Sequence, residues 1–223
     1  MKNLRTLLLA VFVAAGLWMG AAVGHAAVIA ADDFNRTSLG ANWTTYGGAP
    51  MYLTNGQVSA VGNPSEPISF AFHNTPATSS TQEVSATVHW NGRNPAHSSM
   101  SVALRANPAA QHAGVHFWFV NNLLGIGLYN WEGTEYYPAP GSNGYVYNWM
   151  KFPEGTRITL KASGTTYTAY ASGYPFALMQ VTIPETLVPL SNSYGGVHGE
   201  DDSAVSGGGA PPANLDNFVF SAT

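Results

Sequence analysis

Apolar and polar residues alternate along short stretches of this chain, and Gly, Pro, Asn and Ser separate the stretches. In residues 156–162, Ile158, Leu160 and Ala162 fall on one face of an extended strand, and Arg157, Thr159 and Lys161 on the other. In residues 82–90, Val84, Ala86, Val88 and Trp90 alternate with Glu83, Ser85, Thr87 and His89. A period of two marks strands with one buried and one wetter face. Residues 115–120, VHFWFV, are almost wholly apolar, which predicts a central strand covered on both faces. The same reading gives strands over 28–34, 57–61, 68–73, 82–90, 99–106, 114–121, 125–130, 144–150, 156–162, 166–172, 179–183 and 214–221. Ser163-Gly164-Thr165 joins two of them as a hairpin turn. Residues 191–213, with two glycine runs and a Pro-Pro pair, predict a Gly-rich loop before the last strand returns to the body. Beyond the first residues no segment has the period of an amphipathic helix. Strands in such number without intervening helices are connected antiparallel, which leaves a sandwich or a barrel.

The first residues follow another rule. Lys2 and Arg5 precede an apolar run over 7–23, and Gly24-His25-Ala26-Ala27 supplies small residues after it. This is the pattern of a secretory leader, with cleavage after Ala26 or Ala27. The competing reading is an uncleaved anchor, because the run is near the lower limit for a spanning helix. The leader predicts a domain over 28–223 that is secreted or held at the cell surface, with no later membrane span. Removing Lys2 and Arg5 moves the formal net charge from −4 to −6. A negative chain lacks the basic face that nucleic acid or acidic lipid requires. Cysteine is absent, which removes thiol nucleophiles, thiolate metal sites and disulfides together. Stability must come from a packed core.

Three segments carry a resemblance. They are ADDFNRTSLGANWT (31–44), TRITLKASGTTYTAYASG (156–173) and ANLDNFVFSAT (213–223). Their order and spacing resemble the concanavalin A-like lectin/glucanase superfamily, and within it the laminin-G-like domains of bacterial secreted and phage tail proteins. The resemblance implies an all-β, antiparallel two-sheet β-sandwich of jelly-roll type, with the last strand pairing back near the first. It also implies a structural calcium where those strands meet, with Asp216 as ligand and Asp32 or Asp33 beside it. The superfold hosts lectins, hydrolases, lyases and adhesion modules, so it does not by itself give a function.

The residues suggest binding more than catalysis. Retaining glucanases on this fold use carboxylates alternating along one strand, and no such run occurs among the twelve acidic residues. No catalytic residue stands out. Glu132 and Glu135 read as the tip of a hairpin. The same region holds Trp131, Tyr136, Tyr137, Tyr145, Tyr147 and Trp149. Sugars stack their ring faces on aromatics while carboxylates and amides bind their hydroxyls, so these eight residues are the candidate glycan platform. The alternative is that these aromatics fill the core: Tyr145, Tyr147 and Trp149 share one strand face, with Val146, Asn148 and Met150 on the other. Histidine gives no ligand pattern. His112 and His116 have the spacing of a helical zinc pair, but in a strand they lie about 13 Å apart. The leading expectation is a secreted carbohydrate-binding domain whose partner is a polysaccharide or glycan. A structural or adhesion module, and a glycoside hydrolase or lyase with an unrecognised site, are the alternatives.

Overall fold

The computed structural model describes residues 26–47, 51–60, 68–91, 99–120, 123–130, 135–137, 152–200 and 213–223. In chain order the first strands are β1 (Ala27–Asp32), β2 (Trp43–Tyr46), β3 (Met51–Thr54), β4 (Gln57–Ala60) and β5 (Ile68–His73). Next come β6 (Thr81–His89), β7 (Ser99–Ala106), β8 (His112–Val120), β9 (Leu123–Asn130) and β10 (Glu135–Tyr137). The last are β11 (Arg157–Ser163), β12 (Thr166–Ala171), β13 (Met179–Thr182), β14 (Tyr194–Glu200) and β15 (Asn214–Ala222). The only helical turn among the described residues is a short 3-10 segment at Pro108–Ala110.

The strands form two antiparallel sheets. One runs β13-β12-β11-β6-β15-β4-β3, with β1 pairing β15 beyond β4; the other runs β10-β9-β8-β7-β14-β5-β2. The facing sides enclose the core. Val84, Ala86, Val88, Ile158, Leu160, Phe218 and Phe220 come from the eight-stranded sheet, and Val102, Leu104, Val115, Phe117, Ile126 and Leu128 from the seven-stranded one. The expected sandwich is therefore the observed architecture. The β11–β12 hairpin closes at Ser163↔Thr166 with Gly164 in the left-handed region, as Ser163-Gly164-Thr165 predicts. The returning last strand is also present, with Ala27 opposite Ala222 and Asp32 opposite Phe218.

Two expectations change. Residues 191–213 are not one loop, because β14 crosses them as an inner strand of the seven-stranded sheet, between β5 and β7. Its glycines are there for close approach rather than for turning. A Cβ on Gly195 would stand 2.7 Å from the Phe220 ring, and one on Gly196 would stand 2.2 Å from the Ala71 carbonyl. The short strands β2, β3 and β10 are the second change. The expected strand at 144–150 lies outside the described residues. One end of the sandwich is tied by Arg105, fully buried, whose guanidinium donates to the carbonyls of Leu190, Ser80 and Asn192.

Candidate functional site

The two sheets differ on their outer faces. That of the eight-stranded sheet is what alternation predicts: Glu83, Thr159 and Lys161 are partly or fully exposed. The seven-stranded sheet instead carries a second buried layer of Phe70, Phe72, Ala103, Trp118 and Tyr129, with Tyr46 and Tyr194 packed against it. Register explains how it assembles. Tyr46, Phe70, His198, Ser101, Trp118 and Gly125 stand in one row across six strands. Thr44, Phe72, Gly196, Ala103, His116 and Gly127 form the next. Glycine makes room for the large rings, and a Cβ on Gly125 would fall 2.2 Å from the Trp118 indole. The expectation that residues 115–120 are covered on both faces holds for the described side chains of β8.

Besides the Tyr129 phenol, the described residues place Ser101, His116 and His198 within this layer, all buried. His116 Nε2 lies 2.9 Å from the Ala113 carbonyl, its Nδ1 lies 2.9 Å from Ser101 Oγ, and His198 Nδ1 lies 3.2 Å from the same oxygen. A carbonyl only accepts, so His116 carries its proton on Nε2 and its Nδ1 accepts the Ser101 hydroxyl. Ser101 Oγ then accepts from His198 Nδ1–H. The chain of bonds has one direction and ends on the lone pair of His198 Nε2, which is buried and has no partner among the described residues. The His198 ring stacks on Phe70 at 4.6 Å, with the His116 ring edge-on at 5.1 Å and Tyr129 also at 5.1 Å. Burial holds His116 down to about 3 and His198 well below its ordinary value, so both are neutral at physiological pH. The layer thus holds flat apolar rings and, among the described residues, one unmet hydrogen-bond acceptor, all of them buried.

Three residues of the candidate platform are described, in a strand at the edge of this sheet. Glu135, Tyr136 and Tyr137 form β10, whose backbone pairs with β9 as Glu135↔Tyr129 and Tyr137↔Leu128. Trp131, Glu132, Tyr145, Tyr147 and Trp149 lie outside the described residues. Among the described tryptophans, Trp43 and Trp90 are buried with their indole N–H groups bonded to Asp32 and the Phe152 carbonyl.

The carboxylates considered for calcium have other partners. Asp32 accepts both arms of Arg36 at 2.5 Å, the Trp43 indole at 2.6 Å and the Phe34 N–H at 2.8 Å. Burial works to raise its carboxyl, but these hydrogen bonds and the Arg36 charge outweigh it and hold the group below its ordinary value. Arg36 also reaches the Leu39 carbonyl, and Trp43 packs on Phe34 and Phe218. The segment 31–44 is therefore a latch closing the loop between β1 and β2. Asp33 accepts the Asn35 N–H, and Asp216 accepts the N–H and side-chain amide of Asn217. A calcium ion takes six to eight oxygen ligands. Here the Asp32 oxygens face N–H donors and a guanidinium, and no three His, Asp or Glu side chains gather among the described residues. The donor set at Asp32 fits an arginine rather than a hard cation.

The imidazole pair was not visible in the sequence. His116 and His198 are far apart in the chain, and reading 191–213 as a loop hides the strand parity that puts His198 on the His116 face. The usable signal was Val197-His198-Gly199, a strand-like alternation inside a Gly-rich stretch.

No family profile and no curated protein matches the chain. Solved structures do. The carbohydrate-binding module CBM66 from Bacillus subtilis is 14% identical, with a TM-score of 0.52 over 81% of this chain and 96% of that one. The carbohydrate recognition domain of Emp47p is 12% identical, with a TM-score of 0.54 over 91% and 99%. The VIP36 exoplasmic domain in a Ca2+/Man3GlcNAc-bound form is 11% identical, with a TM-score of 0.52 over 82% and 84%. At such identities the likeness is one of fold, and the chain has the concanavalin A-like lectin fold.

Proposed function

We propose that this concanavalin A-like sandwich is an exported glycan-binding domain whose recognition surface lies over the outer face of the seven-stranded sheet. The aromatic segment 131–149 serves as its platform. The observation that carries the reading is the buried ring layer on that face, with Ser101, His116 and His198 within it. A sheet face that only met water would carry the Thr, Glu and Lys seen on the opposite sheet. The rings and the His198 acceptor are themselves buried, so they form a rigid floor, and the sugar contacts are assigned to the aromatic segment, whose Tyr and Trp side chains combine apolar ring faces with polar groups. The neighbours in fold whose names specify carbohydrate binding support the same reading. Most glycoside hydrolases use a carboxylate pair, and the described polar side chains of this layer are imidazole, phenol, indole and hydroxyl. The leader-like sequence pattern over 1–27 supports export.

The test is a titration of the purified protein with soluble neutral oligosaccharides, followed by tryptophan fluorescence. A saturable, sugar-specific change is expected. Trp131→Ala and Trp149→Ala should weaken it at least tenfold while the thermal unfolding midpoint stays within a few degrees. Absence of any response across glucans, xylans and mannans overturns the reading. A drop in the unfolding midpoint equal to that of a core deletion assigns those tryptophans to the core, where each would contribute about 3–5 kcal/mol.

A further inference from the structure

The opposite sheet holds an open cleft of about 1020 Å3 on its outer face, where β1, β15, β6 and β11 lie side by side. One wall is the latched loop between β1 and β2, contributing Asp33 and Asn42. Thr87 of β6 and Asn217 of β15 line it from the sheet, and Arg157 of β11 stands on the far side. Each part is fixed from behind. The Asp32–Arg36–Trp43 bonds hold the loop, and the Asn42 carbonyl accepts the Asn74 N–H at 2.8 Å. Asn217 sits in the left-handed region at φ 49° within an irregularity of the β15–β6 pairing, its N–H and amide both tied to Asp216. That conformation presents the Asn217 carbonyl to Arg157 Nη1 at 3.1 Å, while Arg157 Nη2 reaches Ser85 Oγ at 2.6 Å.

The charges divide across the cleft. Arg36 is matched by Asp32. Arg157 has only a carbonyl and a hydroxyl as partners, with no carboxylate within ion-pair distance among the described residues. Asp33, on the loop side, accepts one backbone N–H and makes no ion pair among the described residues. The lining charges are thus Arg36 and Arg157 against Asp32 and Asp33, which sum to zero. A bound anion would gain at Arg157 and lose at Asp33, and a cation the reverse. A neutral polyol gains at both: a carboxylate accepts from vicinal hydroxyls, a guanidinium donates to hydroxyl oxygens, and Asn42 and Thr87 do either.

We propose that this cleft is a second saccharide site, taking a neutral sugar residue between Asp33 and Arg157 on the face opposite the aromatic layer. It stands without the platform reading, because none of its residues lies on the seven-stranded sheet's outer face. The test is calorimetry on the full chain with neutral cello-, xylo-, malto- and manno-oligosaccharides and with oligogalacturonate, each repeated in Asp33→Asn, Thr87→Ala and Trp149→Ala. At least one neutral sugar should bind with an affinity that falls tenfold or more in Asp33→Asn, falls less in Thr87→Ala, and is unchanged by Trp149→Ala and by raising salt from 0.05 to about 0.5 M. Asp33 makes only a local loop bond, so the variant should keep the wild-type unfolding midpoint. Binding lost only in Trp149→Ala assigns all recognition to the platform and overturns this site while leaving that reading. Oligogalacturonate binding tighter than neutral sugars, and weakening with salt, overturns the neutral class. No Asp33-dependent binding to any of the probes overturns the proposal.

Discussion

Ser101 has one hydroxyl hydrogen and serves two imidazoles, and the proton count of that arrangement sets how the protein meets acid. His116 and His198 are neutral when folded, and burial is the first cause for both. In the unfolded chain each titrates near about 6.5. Their folded values are depressed, so below that pH the unfolded chain takes up protons that the folded chain refuses, and stability falls as pH falls. The loss runs through the window from about 6.5 down to the value of about 3 held by His116. Each refused proton weakens folding by about 1.4 kcal/mol per pH unit, and two by about 2.7. Asp32 adds its own loss only lower, because its depressed carboxyl keeps its contribution until pH falls below about 4. The free energy of urea unfolding is therefore expected to drop steeply between pH 6 and 4. His198→Asn, which keeps a donor for Ser101 Oγ, should have a clearly shallower slope, set by His116 and by His73, which burial also depresses. A wild-type unfolding energy that is flat over this range would contradict the buried neutral pair.

At the scale of elements, the glycines of β14 and β9 decide where rings and strands can approach. Adding a methyl group at Gly196 places it 2.2 Å from the Ala71 carbonyl, a backbone atom in the paired strand β5. The β14–β5 ladder must open to admit it, so Gly196→Ala is expected to cost about 3 kcal/mol in chemical denaturation. Gly173, in a turn at φ 86° with nothing within 4 Å of the same methyl, should cost only about 1 kcal/mol. The contrast explains what the sequence showed and what it hid. Strands such as β6 and β11 were legible because their periodicity is carried by bulky residues, Val84 and Val88 or Ile158 and Leu160. β14 interrupts its periodicity with glycines at 195, 196 and 199. Gly195 and Gly196 look like turn residues in a single sequence, and only the Phe220 ring and the Ala71 carbonyl reveal them as packing residues. The candidate site suffered most, since His198 rides on that strand. The motif at 31–44 was legible as a pattern, but the work of Asp32 was not. Only the folded geometry shows the carboxylate holding Arg36 and Trp43.

For the whole molecule, the two proposed sites lie on the outer faces of sheets that pack about 10 Å apart, with the core between them. A short oligosaccharide seated on one face cannot reach the other. A monomer with both sites is therefore bivalent toward polysaccharide chains, and its second contact forms at the high effective concentration that the first one sets. The net charge of −6 expected after loss of the leader favours neutral chains, since an acidic polymer would be repelled at long range. Mixing the protein with a neutral soluble polysaccharide that binds both sites should raise light scattering to a maximum near equivalence. Excess protein should then lower it, as each chain becomes saturated by molecules bound through one site. Asp33→Asn and Trp149→Ala should each still bind the polymer in a pull-down but leave the scattering at baseline, because a single site decorates chains without joining them. If either variant keeps the full scattering maximum while the protein remains monomeric in solution, cross-linking does not need both faces, and the two-site arrangement fails.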